Sequence, residues 1–392
     1  MYGRGVRDAG EIAARAREAG RVGIDTEFMA EGRYRPLLCL TAIGVEVPGQ
    51  EAGMLTELLD PLDDPPDPAK LAALLADPEV EVVVHAGRQD LDILRRAWGT
   101  EVRNVFDTQV AAGFVGQGAS TGYGRLVGSV LGVRLAKGET FAKWDVRPLS
   151  SDQLAYARAD VSHLVPLAAE LRRRLEARGR LEWAKEECRA LERPGDERDP
   201  EQAFRRLPRS NQLKPRELAV ARELAAWRER TAEAEDKTTG AVVGDPQLLE
   251  LARRQPTDRH ALGDIRGLWP RTIQRRGDEI VAAIEAGRRA PPLRLDDERR
   301  DFDPDDTPLI ALGEALVRAR ARQEGFAYEL IAGRADLAAI VSHVRGGGEE
   351  PSVRTLRGWR RELVGEDLLE LLRGSRTLSV GWGGRLEVTA RG

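Results

Sequence analysis

Four acidic side chains and one tyrosine lie in three short segments, and their spacing could bring them together in the folded chain. Asp25 and Glu27 are two residues apart in the segment RVGIDTEF, where Val22 and Ile24 alternate as in a β-strand. Alternate residues of a strand share one face. Both carboxylates should therefore project from the same side, with backbones about 6.5 Å apart.

The remaining members of the set lie in two segments with helical patterns. Asp90 lies in VVVHAGRQDLDIL, and Tyr156 and Asp160 are four residues apart in QLAYARADVSHL. Residues four apart share one face of a helix. Converging carboxylates repel one another, so the set requires a cationic partner. Two divalent metal ions about 3.5 to 4 Å apart would meet this need and would stabilise the attacking and leaving oxygens of a phosphodiester displacement.

Each segment taken alone has a simpler interpretation. The Asp25–Glu27 pair could be a solvated strand face, Asp90 a favourable acid at a helix start, and Tyr156 a half-buried core residue. The apolar residues around the acidic pair, however, predict burial, and buried acids are costly unless something pairs with them. The combination in chain order therefore carries the prediction of a metal site.

Other kinds of site are not favoured by the sequence. Cys39 and Cys188 do not have the spacing of zinc ligands, so a zinc site is not predicted. His85 ends an apolar strand and His163 lies in a helical segment, and both positions favour a structural role over acid–base catalysis. The glycine-containing segments lack the spacing of a dinucleotide site, which predicts no nucleotide cofactor. Oxygen ligands select Mg²⁺ or Mn²⁺.

Composition limits the class of protein. A length of 392 residues with 41% hydrophobic residues predicts two or three domains. The absence of a long apolar run predicts no membrane association, and only two cysteines indicate a reducing, cytoplasmic location. The net charge of -4 argues against nucleic acid as a partner, but residues 205–290 contain 18 lysines and arginines against 13 acidic residues.

The pattern of the first 178 residues predicts an α/β domain. Predicted strands are 22–28, 37–47 and 80–85, and predicted helices are 11–19, 68–75, 88–98, 108–114, 123–131 and 151–178. Ser150 and Gln153 form a capping box at the start of the last helix, and Pro166 predicts a kink within it. The second strand carries few charges and should lie inside the sheet.

The motifs IDTEF, HAGRQDL and YARAD, in this order, resemble those of the DEDD exonuclease superfamily, in its tyrosine-containing subgroup, and of the ribonuclease D family in particular. The intervening segments NVFDTQVAAGFVG, GYGRLVGSVLGV and RPLSSDQLAYARADV strengthen the likeness. The resemblance implies an α/β domain with a mixed ribonuclease-H-like sheet over residues 1–192. It implies that Tyr156 orients the nucleophilic water and that four carboxylates bind two ions of Mg²⁺ or Mn²⁺: Asp25, Glu27, Asp90 and Asp160.

Downstream of a linker at 193–204 the pattern is helical. Residues 205–290 resemble an HRDC domain, and after a second linker at 291–306, residues 307–392 resemble a second, degenerate HRDC-like domain that ends in a β-hairpin. The first module is a candidate RNA-binding surface in which Trp269 either stacks on a base or, as the sequence favours, packs in the core. Its basic candidates are Arg253, Arg254, Arg259, Arg266, Arg271, Arg275 and Arg276.

The resemblance therefore implies a 3′–5′ exoribonuclease that releases nucleoside 5′-monophosphates from structured RNA such as tRNA precursors. A DNA 3′–5′ exonuclease of the same superfamily and a non-catalytic RNA-binding scaffold remain alternatives. Near the predicted active site, five residues are candidates for contacts to the nucleic-acid backbone: Arg33, Tyr34, Arg35, Arg125 and Lys143.

Overall fold

A computed structural model describes residues 9–47, 54–135, 143–195, 198–294 and 305–391. These residues form an N-terminal α/β domain, a first helical module and a second helical module with a terminal hairpin. Among the helices described, none combines the length and apolar character needed to span a membrane.

The α/β domain is built on a five-stranded mixed sheet with the order β3-β2-β1-β4-β5. Its strands are β1 (Arg21–Met29), β2 (Leu37–Glu46), β3 (Met54–Leu59), β4 (Glu81–Val84) and β5 (Val105–Asp107). The central strand β1 runs antiparallel to β2 and parallel to β4. The mixed sheet and the interior position of β2 confirm the prediction, whereas β3 and β5 were not predicted.

Among the residues of this domain that the structure describes, eight helices surround the sheet. They are α1 (Ala9–Ala19), α2 (Pro68–Leu75), α3 (Arg88–Trp98), α4 (Thr108–Phe114), α5 (Tyr123–Leu131), α6 (Ser151–Ser162), α7 (Leu164–Glu176) and α8 (Leu181–Arg189). The single kinked helix predicted over 151–178 is wrong, because the chain breaks at His163 into α6 and α7. Pro166 lies in the first turn of α7, where its missing N–H leaves no internal bond unmade.

The first helical module has a core of its own. Its helices are α9 (Pro215–Ala234), α10 (Thr239–Val242), α11 (Asp245–Arg254), α12 (Arg259–Leu262) and α13 (Pro270–Arg289). Ala203 and Phe204, which the sequence places in the linker, are buried against this core. Trp269 lies outside this core with 75% of its surface exposed, so the expectation that it packs inside is wrong.

The second helical module shares its core with the α/β domain. It contains α14 (Asp306–Glu324), α15 (Arg334–Gly346), α16 (Gly358–Arg360) and α17 (Glu366–Leu372), followed by the predicted hairpin of β6 (Arg376–Val380) and β7 (Leu386–Ala390). Phe114 of α4 packs against Phe326 and Trp359, with ring centroids 5.8 and 5.2 Å apart. Trp183 of α8 stacks on Trp359 at 5.1 Å.

The loop between β1 and β2 attaches the first helical module to the sheet. Tyr34 is buried and donates a hydrogen bond of 2.7 Å from its hydroxyl to Glu229 of α9. Arg33 pairs at 2.5 Å with Asp236, which follows α9, and Arg35 pairs at 3.0 Å with Glu233 of α9. The loop thus connects α9 to the central strand β1.

Candidate active site

Three of the predicted carboxylates converge beside the centre of the sheet. Asp25 and Glu27 lie on β1, and Asp160 lies on α6, which packs across the first three strands. One carboxylate oxygen from each of the three lies within 4.8 Å of the others. Within the part of the chain that the structure describes, this is the only such group of three or more potential metal ligands.

The fourth carboxylate lies next to this group but outside it. Asp90 is in the first turn of α3, and its carboxylate accepts a short hydrogen bond from the hydroxyl of Thr26, the residue between the two acids of β1. Its charge raises the pKa of both Asp25 and Glu27, which shows that all four acids belong to one electrostatic cluster. The motif IDTEF contains Thr26, but its spacing gave no sign that this hydroxyl would hold Asp90.

Burial and repulsion shift the titration of the whole cluster. Burial, followed by the charges of Asp90 and Asp160, raises the pKa of Asp25 well above its ordinary range. Burial and the same two neighbours raise the pKa of Glu27 to about 8. Burial raises the pKa of Asp160 to about 6, although a hydrogen bond with Tyr156 opposes that shift. Without a cation the cluster therefore favours bound protons over full ionisation.

Tyr156 lies one helical turn before Asp160 and shares its face of α6. Burial, together with the charge of Asp160 and their hydrogen bond, raises the pKa of the Tyr156 phenol. The phenol is therefore protonated at neutral pH and donates to the carboxylate. Its ring lies 6.2 Å from the buried ring of Trp144, which supports one side of the tyrosine.

Interactions at the start of α6 set the position of this helix. The capping box is present, with Gln153 N–H donating to Ser150 Oγ at 3.1 Å and Ser150 N–H donating to Gln153 Oε1 at 2.9 Å. In the preceding loop, Arg147 makes two hydrogen bonds of 2.6 Å to Asp60 and one of 2.7 Å to the carbonyl of Cys39. The loop is thereby fixed to β2 and to the residue that follows β3.

The two histidines near the site lie outside the carboxylate group. His85 places Nδ1 2.9 Å from the hydroxyl of Thr108, and burial lowers the pKa of its ring, so the ring is neutral. His163 marks the break between α6 and α7. Tyr123, which the sequence did not single out, lies near the cluster, since burial and the charge of Asp160 raise its pKa.

The structure separates the candidates for contacts to the nucleic-acid backbone. Arg33, Tyr34 and Arg35 bind the first helical module, so their side chains are engaged within the protein. Arg125 is exposed on α5, and Lys143 is exposed before α6. Only these last two remain available to a substrate.

Comparisons with known proteins agree with this architecture. Residues 7–176 match the family model described as a 3′–5′ exonuclease, and residues 217–284 match the HRDC domain. Ribonuclease D of Gluconacetobacter diazotrophicus is 37% identical over 374 residues, covering 94% of this chain and 92% of that protein. Ribonuclease D of Pseudomonas paraeruginosa is 33% identical over 371 residues, covering 94% and 96%.

A solved structure extends the likeness to three dimensions. The crystal structure of Escherichia coli RNase D, described as an exoribonuclease involved in structured RNA processing, superposes with a TM-score of 0.79 at 29% identity. The match covers 93% of this chain and 96% of that one, so it includes both helical modules. From sequence and fold together, this chain belongs to the ribonuclease D family of 3′–5′ exonucleases.

Proposed function

We propose that this enzyme hydrolyses RNA from the 3′ end with two divalent metal ions and releases nucleoside 5′-monophosphates one at a time. The observation that carries the proposal is the convergence of Asp25, Glu27 and Asp160, with Asp90 beside them, in an environment that penalises unneutralised charge. A cluster of this kind is stable in its ionised form when cations occupy it.

The donor atoms fit Mg²⁺ or Mn²⁺. All four acids offer hard oxygen ligands, and the described part of the group contains no cysteine or histidine that would favour zinc. Cys39 and Cys188 are buried free thiols elsewhere in the domain. Bound ions would supply a water of lowered pKa and would neutralise charge on the phosphate.

The chain's own side chains orient the reactants. The protonated hydroxyl of Tyr156 donates its proton to a hydrogen bond with Asp160. The lone pairs of the Tyr156 oxygen are therefore free to accept a hydrogen bond from the attacking water. Thr26 holds the carboxylate of Asp90 through its hydroxyl. We assign Tyr156 to orienting the nucleophile and the four carboxylates to holding metal.

Structured RNA, including tRNA precursors, is the substrate class that we propose. The E. coli relative is described as acting in structured RNA processing, and the positively charged first helical module would supply phosphate contacts beyond the active site.

The domain limits at 192, 205, 290 and 306 and the cytoplasmic location remain predictions from the sequence.

A single digestion experiment tests this proposal. RNA labelled at either end is incubated with the full chain in Mg²⁺, Mn²⁺ or EDTA, next to a DNA strand of the same sequence. We expect 5′-monophosphates from the 3′ end of RNA in the presence of metal and none in EDTA. Faster removal of nucleotides from the DNA strand would favour the alternative of a DNA exonuclease.

Substitutions assign the chemistry to the cluster. Asp25→Asn and Asp160→Asn should each reduce turnover at least about 100-fold, because each replaces a charged ligand with a neutral amide. Asp152→Asn is the matched control, since Asp152 is an exposed acid in the first turn of the same helix. Turnover by both cluster variants at the level of the control, with unchanged melting, would contradict the metal assignment. RNA binding by the native chain without any turnover in Mg²⁺ or Mn²⁺ would favour the scaffold alternative.

A further inference from the structure

Trp269 is an exposed aromatic side chain on a basic module. The turn before α13 buries Leu268 in the module's core and leaves 75% of the Trp269 surface in contact with solvent. Trp227 of the same module shows the contrasting case, because it packs against the core and donates its indole N–H to Glu279 at 2.9 Å. Trp269 therefore contributes little to the packing of this module.

The arginines of the module fall into two groups. Most have an acidic partner, for example Arg254 with Glu250 at 2.5 Å and Arg276 with Glu235 at 2.7 Å. The exceptions that flank Trp269 are Arg266, three residues before it, and Arg271, two residues after it. Both are exposed, and in the described ranges of the chain the side chain of neither makes an ion pair or a hydrogen bond.

We propose that Trp269, Arg266 and Arg271 form a nucleotide-binding surface that takes one unpaired base of the RNA substrate on the indole. This inference rests on the proposed function and adds a subsite to it. The indole offers a flat π-face to any base, and the two free guanidinium groups suit the phosphates on either side. Cationic side chains without an ion-pair partner, close in sequence to an exposed aromatic ring, suit single-stranded RNA better than an apolar protein surface, because RNA offers both phosphates and bases.

The contribution of the indole can be estimated from base stacking. Loss of one stacked base lowers affinity by between about 5-fold and 150-fold. Loss of either arginine should instead reduce the dependence of affinity on salt, by about 0.7 in the slope of log affinity against log salt on single-stranded RNA. The two kinds of substitution therefore have different signatures.

Binding of the full chain to a stem-loop RNA with an unpaired 3′ tail, measured in EDTA, tests the surface. Trp269→Ala should weaken binding by the stacking factor, and Trp269→Phe should recover most of it. Trp382→Ala is the matched control, since Trp382 is fully exposed at the tip of the terminal hairpin. Arg103→Ala, which removes an exposed arginine paired with Glu101 outside this module, is the control for Arg266→Ala and Arg271→Ala.

An abasic scan of the RNA tail identifies the contact directly. One abasic position should weaken binding to the native chain but not to Trp269→Ala, because the stacking partner is already lost there. Equal binding by Trp269→Ala and the native chain, or an equal loss in Trp382→Ala, would overturn the inference. A change in sedimentation of Trp269→Ala without a change in RNA affinity would instead assign the side chain to self-association and would also overturn it.

Turnover of a short oligonucleotide separates this inference from the proposed function. Because Trp269 lies outside the carboxylate cluster, Trp269→Ala should degrade a five-nucleotide RNA in Mg²⁺ at the native rate. If the native chain neither binds nor degrades RNA, the proposed function fails. If it does both and Trp269→Ala matches it on the stem-loop, only the subsite fails.

Discussion

Replacing Glu27 with glutamine should make the metal-free enzyme more stable at alkaline pH. Burial, with the charges of Asp160 and Asp90, raises the pKa of Glu27 from 4.5 to about 8 in the folded chain. A raised pKa contributes stability below the unfolded value, and that contribution is lost as pH rises through the folded value. The native chain should thus lose stability between about pH 4.5 and about pH 8 as this carboxyl ionises. Glu27→Gln has no carboxyl at this position and should not show that part of the loss.

The size of this effect follows from the shift in pKa. The whole shift corresponds to about 5 kcal/mol at 1.36 kcal/mol per unit, but protons taken up by neighbouring carboxyls relieve part of the same repulsion. We therefore expect Glu27→Gln to be more stable by about 1 to 3 kcal/mol near pH 8.5. For a chain of 392 residues, an unfolding entropy of about 0.8 kcal/mol per degree converts this into a Tm increase of about 1 to 4 °C.

Thermal melting in EDTA across this pH range measures the difference. Near pH 4, where the carboxyl is protonated in both states, the two chains should melt together. Excess Mg²⁺ should reverse the order at high pH, because it stabilises only the folded chain and the native protein offers one more carboxylate. Glu46→Gln, which neutralises an exposed carboxyl at the end of β2, is the control. Melting curves of Glu27→Gln that follow the native chain at every pH in EDTA would refute the reasoning.

Two further predictions concern the tyrosine and the second helical module. Tyr156→Phe keeps the ring but removes the hydroxyl that bonds to Asp160, so kcat should fall about 100-fold or more with RNA affinity nearly unchanged; a loss confined to affinity would assign Tyr156 to substrate binding. Arg360→Ala removes a buried guanidinium that bonds to Glu187 at 2.5 and 2.6 Å and to the carbonyl of Leu330, and it should destabilise the nuclease domain by about 3 kcal/mol. Denaturant unfolding monitored by nuclease activity measures this loss of stability. An unchanged unfolding midpoint would show that the stability of the nuclease domain does not depend on the Arg360 contacts.

The convergence of the candidate site could be predicted from the sequence because its acidic side chains lie on regular elements. The two acids of β1 and the Tyr156–Asp160 pair of α6 occupy spacings that strand and helix periodicity translate into shared faces. The position of Asp90 depends on its bond to Thr26, a contact between a helix and a strand 64 residues apart. No local pattern contains that information.

The short strands and the exposure of turn residues could not be predicted from the sequence for a related reason. Strand β5 has three residues, which are too few to show an alternating pattern. Strand β3 has six residues, and its mixture of apolar and polar side chains has no periodicity that distinguishes a strand from a turn of helix. Trp269 was expected in the core because large aromatic side chains are mostly buried, whereas it is exposed in the turn before α13. Burial in a turn is set by tertiary contacts.

The glycines of AAGFVG explain why the second helical module belongs with the nuclease domain. A Cβ at Gly113 would lie 2.7 Å from Leu330, and a Cβ at Gly116, whose φ is +85°, would lie 2.7 Å from the carbonyl of Gly325. Between them, Phe114 is buried against the aromatic rings of the module. Close contacts on both sides of a buried ring, one from the Leu330 side chain and one from the Gly325 backbone, are typical of a domain core. The end of α4 is therefore shaped for the second module, and the nuclease domain relies on that module to cover Phe114.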